Sequence, residues 1–479
     1  MSGSSSTDNN FYLSGSLPVL FAKTAAPIVL VMAVNGLFTL VDAYFLGAYV
    51  GGDALTAVTL MFPLYMLLVA LSTLVSSGFS SVFARLLGAN DGLIARLVLG
   101  QAIQLSLIVC AVLITLFWLG GDRLTLAIAN GSQNLAGMGY TYISILIYCS
   151  PLVFLLAINV DALRCEGLLP AMAAITLMSA LLNIAFDYLF IAQFGWGVAG
   201  SAYGTVLAQV CSMLAIVIYR LKSSRQSRAH MPVAQFGPLA KFGWNHWGEL
   251  IALGAPSSLG YIGLSLSAGL TLYCLQQWTA QTYEATAGAF GILTRLMTFT
   301  FLPLLGLSMA FQTIVGNNYG AKKWSRSNGA LKLALVMAFV YCALVETAFI
   351  FSRAEIGFVF VEDHAIASEL SRIMPYAVML MFLFGPLMII GTYFQAIGDA
   401  ARAAILGLSR TYLFALPLTF LLPFVFGEMG IWYAGIVAEL LVLTLTIAVL
   451  NRRMRHGGQS WGLWEQPQAS APVPSEIAL

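Results

Sequence analysis

Two carboxylates stand out because of where they lie. Asp42 sits near the far end of an apolar run at 17–46 whose other charge is Lys23 at its entrance, and Asp187 sits near the end of a second run at 168–192. An ionised carboxylate in hydrocarbon costs at least about 2.5 to 3.5 kcal/mol on insertion scales, so an acid at such a place is by default a candidate functional site. Asn35, Thr39 and Asp42 follow an i, i+4, i+7 spacing that puts them on one helical face, and Asn183 precedes Asp187 by one turn. No Lys or Arg lies at membrane depth in this half of the chain to neutralise either acid. At about 1.5 Å rise per residue, both acids fall roughly 6 to 8 Å from the outer ends of their helices. Tyr142 and Thr205 fall in the outer half of their own runs. Carboxylates, an amide oxygen and a hydroxyl form a hard-oxygen set suited to Na⁺, or to a proton kept on a carboxylate by desolvation and a like-charged neighbour. Either chemistry makes the pair a cation-responsive switch.

The remaining charges have blander readings. In the second half, Arg295 with Glu346 and Arg410 with Glu439 can pair as structural ion pairs, while Asp161, Arg164 and Glu166 cluster at the cytoplasmic end of the fourth run. The six cysteines include no C-x-x-C pair and read as small buried hydrophobes, and the four histidines fall outside the apolar runs without metal-ligand spacing. With no metal motif beyond a Na⁺ set and no nucleophile–base constellation, an enzyme is not expected. The net charge of +2, with no arginine-rich arm, argues against a nucleic-acid partner.

The elements that must position the acids are membrane helices. The 479 residues are 59% hydrophobic and 9% charged, against roughly 25% charged in a soluble domain. Apolar runs long enough to span occur at 17–46, 55–84, 97–120, 136–160, 168–192, 196–222, 250–278, 285–316, 328–351, 366–396, 403–426 and 429–451. Placing both termini in the cytoplasm puts seventeen of the twenty-two Lys and Arg residues on that side. Residues 223–249 form a cytoplasmic linker whose Phe236, Phe242, Trp244 and Trp247 suit an interfacial segment. The linker separates two six-helix units, 15–222 and 250–452, flanked by a polar, disordered 1–14 and a cytoplasmic tail at 453–479. The units echo each other: FARLLGANDGLIARLVLGQA at 83–102 parallels VGNNYGAKKWSRSNGALKLA at 315–334, and Ala26-Pro27 parallels Ala255-Pro256. Pro27, inside the first run, predicts a kink.

With these features in hand, the chain resembles the multidrug and toxic compound extrusion (MATE) transporters, specifically their DinF-like branch. The resemblance covers roughly 15–452 and rests on PVLFAKTAAPIVLVMAVNGLFTLVDAYFLG, on NIAFDYLF followed by FGWGVAGSAYGTVLAQ, and on GNNYGAKK. It implies an all-α fold of twelve transmembrane helices in two lobes arranged as a V, and antiport of a cationic or amphipathic small molecule against H⁺ or Na⁺ by alternating access. The implied cation-binding residues are Asp42, Asn183, Asp187, Thr205 and Tyr142, with Tyr140 the alternative for the last. Asn35 and Asn159 are candidates for lining the substrate cleft, and Pro27 is the implied helix 1 hinge. The NorM-like branch carries acids within helices 7 and 10, and neither 250–278 nor 366–396 holds an internal one apart from Glu369 near the start of the second. The resemblance also implies a bacterial inner membrane, a monomer and no cofactor beyond the coupling ion. A flippase for lipid-linked oligosaccharide, of the same superfamily, is the alternative function, and a passive channel is disfavoured by the duplication.

Overall fold

The computed structural model describes residues 10–226, 243–279, 282–361, 363–457 and 461–464, with the side chains at 37–40, 223–226 and 456–457 outside that description. The first half contains α1 (Leu17–Phe45), α2 (Gly52–Gly88), α3 (Gly92–Ile128), α4 (Gln133–Tyr148), α5 (Ser150–Cys165), α6 (Leu169–Asp187) and α7 (Gly197–Gln226). The second contains α8 (Trp247–Trp278), α9 (Tyr283–Gly320), α10 (Trp324–Phe360), α11 (His364–Val378), α12 (Met381–Ile397), α13 (Ala400–Leu408), α14 (Leu416–Leu421), α15 (Pro423–Phe426) and α16 (Met429–Gly457). Among the described residues ten helical stretches are long and apolar enough to cross a membrane. The bent pairs α4–α5 (50°) and α11–α12 (45°) bring the total to twelve spans.

Each break has a local cause. Pro151 stands in the first turn of α5, where its missing N–H costs nothing to the new helix but cannot continue the old one. Between α11 and α12, Leu380 adopts a left-handed φ of 68°, and the backbone N–H of Phe382, freed in the new first turn, donates to Glu346 at 3.0 Å. Glu346 is therefore a helix cap and not the partner expected for Arg295, whereas Arg410 Nε does meet Glu439 at 3.0 Å while its guanidinium lies 3.8 Å over the Phe384 ring. Four helices, α2, α3, α9 and α10, run for 37 or 38 residues, roughly 55 Å, and so project beyond the hydrocarbon that hydropathy registers.

The two halves meet where glycines let backbones touch. A Cβ added to Gly78 of α2 would lie 1.9 Å from the Leu250 carbonyl oxygen of α8, and one added to Gly254 of α8 would lie 1.7 Å from that of Leu74. At the next crossing Gly88 presses on the Asn317 carbonyl and Gly320 on the Arg85 carbonyl, each at 1.9 Å from the added atom. These contacts are one contact made twice, because 85 and 88 in the first half correspond to 317 and 320 in the second. The turns that follow match as well, with Asn90 (φ 60°) and Lys322 (φ 57°) both left-handed. The echo at 83–102 and 315–334 thus marks the crossing of two equivalent helices.

Polar ties close the same end. Gln395 Nε2 donates to the Leu253 carbonyl (2.6 Å), Ser77 (3.0 Å) and Ser257 (3.2 Å), and Arg85 pairs with Glu249 at 2.7 Å. Arg164, expected in an interfacial cluster, is instead 2% exposed and spans the two halves. It pairs with Asp161 (2.8 Å) and donates to Ser80 (2.9 Å) in its own half, and it reaches the Met309 carbonyl (2.8 Å) and Thr313 (2.7 Å) of α9. Glu166 of that cluster pairs with Arg220 at 3.2 Å.

Trp244 of the expected linker meets Trp247 edge-on at 6.3 Å, while Phe236 and Phe242 lie outside the described residues. Of the tail, 461–464 folds back: Tyr393 donates to the Leu463 carbonyl (2.9 Å) and Arg453 to that of Gly462 (3.0 Å).

Candidate functional site

The site begins as two facing helix surfaces. On α6, Asn183 and Asp187 are one turn apart, and on α7, Ser201, Gly204 and Thr205 share a face at i, i+3 and i+4. The chain can pack these faces closely because Gly204 has no side chain there: a Cβ would lie 2.5 Å from Asp187 Oδ1. Asn183 Nδ2 donates to Thr205 Oγ1 at 3.0 Å, which turns the amide oxygen of Asn183 away, buried and without a hydrogen-bond donor. Asp187 is 0% exposed, and neither of its carboxylate oxygens receives a hydrogen bond among the described residues.

The third helix, α1, brings Asp42. The Ser201 hydroxyl donates to Asp42 Oδ1 at 2.7 Å, so the α7 face that packs on one acid also holds the other. Asp42 and Asp187 lie within coulombic range of each other, Tyr142 of α4 lies within range of both, and Tyr65 of α2 lies within range of Asp42. Among the described residues no Lys, Arg or His forms an ion pair with either acid. Both acids also stand where regular α-helix gives way. A π-helical turn, Leu46–Val50, follows one turn after Asp42, and another, Tyr188–Gln193, starts at the residue after Asp187. Such turns shift the register of the last carbonyls and recur at functional sites. Just beyond the acids, at and around these turns, Phe45 meets Tyr188 (6.3 Å) and Phe190 stacks on Trp196 (4.8 Å), a belt of aromatics of the kind that marks the membrane–water interface.

The structure therefore gathers Asp42, Asn183, Asp187, Thr205 and Tyr142 in one lobe. Tyr140 is not in that group, since it stacks on Phe117 at 5.4 Å. Asn35 lies on α1 two turns before Asp42 and is exposed, whereas Asn159 is buried and donates its amide to the Leu155 carbonyl of its own helix at 2.9 Å. The Thr39 side chain lies outside the described residues. Pro27 stands inside α1, which runs without interruption from Leu17 to Phe45. The residues the sequence reading missed are Ser201, Gly204 and Tyr65. For the first two a signal existed in GSAYGT, where a serine, a glycine and a threonine share one helical face in an apolar run. Nothing in the neighbourhood of Tyr65 distinguishes it from packing.

Among the described residues the lobe thus joins three buried oxygens without donors, on Asn183 and Asp187, to a second carboxyl group, and no Lys, Arg or His pairs with either acid; such a set has the chemistry to accept a small cation or protons. The fold is a duplicated, twelve-span membrane carrier, and the chain belongs to the MatE family, whose model matches residues 27–189 and 278–421. It is a MATE family transporter, and its two lobes have the MATE architecture. It is 23% identical over 437 residues to the multidrug export protein MepA of Staphylococcus aureus, with 90% of this chain and 93% of that protein aligned. To the probable multidrug resistance protein YoeA of Bacillus subtilis it is 23% identical over 416 residues, with 85% and 87% covered. Among solved structures it matches a MATE chain in the bent conformation (TM-score 0.82, 22% identity, 93% of this chain and 96% of that one). It also matches an outward-facing multidrug resistance MATE family transporter of the MOP superfamily (TM-score 0.81, 22% identity, 94% and 98%).

Proposed function

We propose that this protein is a multidrug efflux antiporter that exchanges cationic or amphipathic small molecules for H⁺ or Na⁺ by alternating access, with the N-lobe acids as its cation site. The observation that carries the proposal is Asp187: wholly buried, with two carboxylate oxygens lacking donors, beside a second acid and an unpartnered amide oxygen. Such a group is expensive to keep in a membrane and is made affordable by a ligand that comes and goes. The residues present fit either ion. Asp187, the Asn183 amide oxygen and the Thr205 hydroxyl offer oxygens for Na⁺, and the Ser201 hydroxyl holds Asp42 at the rim of the same group. Protons need only the two carboxylates. The names of MepA and YoeA support drug export as the cargo side of the exchange.

In this mechanism Asp42 is the moving part, because α1 carries it between α7 and the cleft, and Pro27 gives α1 a place to bend. Cation entry and drug binding weaken each other, as reciprocity demands, so loading the acids from outside releases the drug there. We assign the protein to a bacterial inner membrane with both termini cytoplasmic, which makes the end closed by Arg164 the inner one, and take the monomer as the working unit.

The test is ethidium uptake into proteoliposomes under an imposed Na⁺ gradient or an imposed pH gradient, wild type beside Asp187→Asn. One gradient is expected to drive uptake and the variant to lose it. Uptake that survives in the variant, or that ignores both gradients in the wild type, refutes the assignment.

A further inference from the structure

The chain just ahead of α1 does more than lead into the membrane. Residues 10–14, expected with the rest of 1–14 to be disordered, instead form a capped helical turn at Phe11–Leu13 with Tyr12 and Leu13 buried, and with Gly15 they lie across the seam between the two lobes, at the end where Arg164 closes it. Tyr12 is 0% exposed and its hydroxyl donates to the Arg164 carbonyl of the first lobe at 2.5 Å. Beside it Phe11 sits against Gly167, which is left-handed (φ +81°) and whose added Cβ would lie 2.9 Å from that of Phe11. The second lobe grips the same segment from the other side. Asn10 donates to the Asn317 side chain (2.9 Å), Asn318 to the Tyr12 carbonyl (3.1 Å), Lys323 to the Leu13 carbonyl (3.2 Å) and Arg326 to that of Gly15 (2.9 Å). The Tyr12 ring belongs to the hydrophobic core of the second lobe, with Phe311, Ile314 and Val315 of α9.

The segment is joined to both lobes. It holds the second by several hydrogen bonds and a buried ring; toward the first, besides running straight into α1, it places the Tyr12 hydroxyl on the Arg164 carbonyl and beside Thr24, and Phe11 against Gly167. The carbonyl it takes belongs to Arg164, whose guanidinium is itself the buried tie between α5 and α9.

We infer that residues 10–15 are a latch that holds the lobes together at this end, and that the lobes part here only when Tyr12 leaves Arg164. The inference does not depend on which ion or drug is carried. Cys165 offers a native reporter: it is 1% exposed, packed against Ser80 under the Arg164 junction, and is uncovered when the seam opens.

The experiment is maleimide labelling of the full-length protein in lipid nanodiscs, with the rate at each of the six cysteines read by peptide mass spectrometry. Tyr12→Phe removes only the hydroxyl and is expected to speed labelling of Cys165 about fivefold, the effect of one hydrogen bond of ordinary strength on a local opening. Tyr12→Ala, which also removes the ring, is expected to speed it further. Cys110, Cys274 and Cys342, buried elsewhere, keep their wild-type rates. A wild-type rate at Cys165 in either folded variant overturns the latch. So does a parallel rise at all the buried cysteines, which makes Tyr12 a part of the fold and not of a gate. If Tyr12→Ala fails to fold, Tyr12→Phe decides alone.

Discussion

Substituting Gly204 by alanine tests whether the packing of α7 on α6 sets the geometry of the proposed cation site. The new Cβ would lie 2.5 Å from Asp187 Oδ1 and 3.3 Å from the Asp187 backbone nitrogen, where ordinary contact begins at 3.4 Å. The carboxylate must therefore retreat by about 0.9 Å, the difference between the two distances to Oδ1. Asp187 is closed in on every side, so retreat means another rotamer or a parting of the two helices. Overpacking of this sort typically costs about 1–3 kcal/mol. At about 1.4 kcal/mol per tenfold, that cost borne by the cation-bound state weakens apparent cation affinity about 5- to 150-fold. The assay is the initial rate of ethidium uptake into proteoliposomes as a function of driving-cation concentration, read as the half-saturating value. Gly200→Ala is the control, one turn earlier on α7. Its Cβ would meet the Phe190 backbone carbon at 3.1 Å and Ile191 at 3.2 Å, crowding α7 without touching an acid. Half-saturation is expected to shift in Gly204→Ala and to stay within about twofold of wild type in Gly200→Ala, since the second costs stability and not site geometry. Equal shifts in both, or a wild-type value in folded Gly204→Ala, would refute the reasoning.

Three further outcomes follow from the same geometry. Ser201→Ala removes a hydrogen bond to a carboxylate acceptor, worth about 1.5–3 kcal/mol, and is expected to weaken cation-driven uptake about 10- to 150-fold, with Ser201→Thr retaining the hydroxyl and most of the activity. If Na⁺ is the driver, protons compete for the same carboxylates, so the half-saturating Na⁺ concentration rises as pH falls, by up to about tenfold per pH unit where one proton is displaced. A flat pH profile in that uptake assay places the Na⁺ elsewhere. Arg164→Met strands Asp161 in a buried place and is expected to cost about 3–5 kcal/mol in thermal or denaturant unfolding, part of it recovered by adding Asp161→Asn.

How much of this was legible in the sequence depended on whether a residue's cost is local. An acid in an apolar run is expensive whatever surrounds it, so Asp42 and Asp187 could be singled out, and helical spacing brought Asn183 with them. Ser201 and Gly204 matter only because α7 faces α6 at that level, and the cost of a missing Cβ is set by a neighbour the sequence does not name. Arg164 was misjudged for the same reason. Beside Asp161 and Glu166 it reads as surface charge, yet its ligands Met309 and Thr313 are some 150 positions away in the other lobe. Glu346 was assigned to Arg295 because two opposite charges on adjacent helices are the simplest pairing. The break at Leu380, which frees the Phe382 N–H, falls between Pro375 of α11 and Pro386 of α12 and not at either, so neither proline marks its place in the sequence. The span limits were legible to within the hydrocarbon and no further, which is why α2 and α9 overrun them into water.

The duplication also explains why the acids occur in one copy. The second-half counterpart of α1 is α8, and α8 is fixed to α2 backbone to backbone through Gly78 and Gly254, with Gln395 bound to its Leu253 carbonyl. In the first half, α1 meets α9 through a side chain, with Val29 Cγ2 lying 2.6 Å from where a Cβ of Gly306 would be. A side-chain contact can re-form at a new rotamer as a helix bends, whereas a carbonyl pressed into a glycine has no second arrangement to adopt. Of the two helices that carry Ala-Pro, α1 with Pro27 is on the proposed reading the one whose contacts tolerate a change of shape and α8 with Pro256 the one whose contacts resist it. On the proposed reading, a cation whose arrival must be felt as a change of helix shape can be sensed by an acid on α1 and would be wasted on one at the equivalent place in α8, where the chain has Thr271.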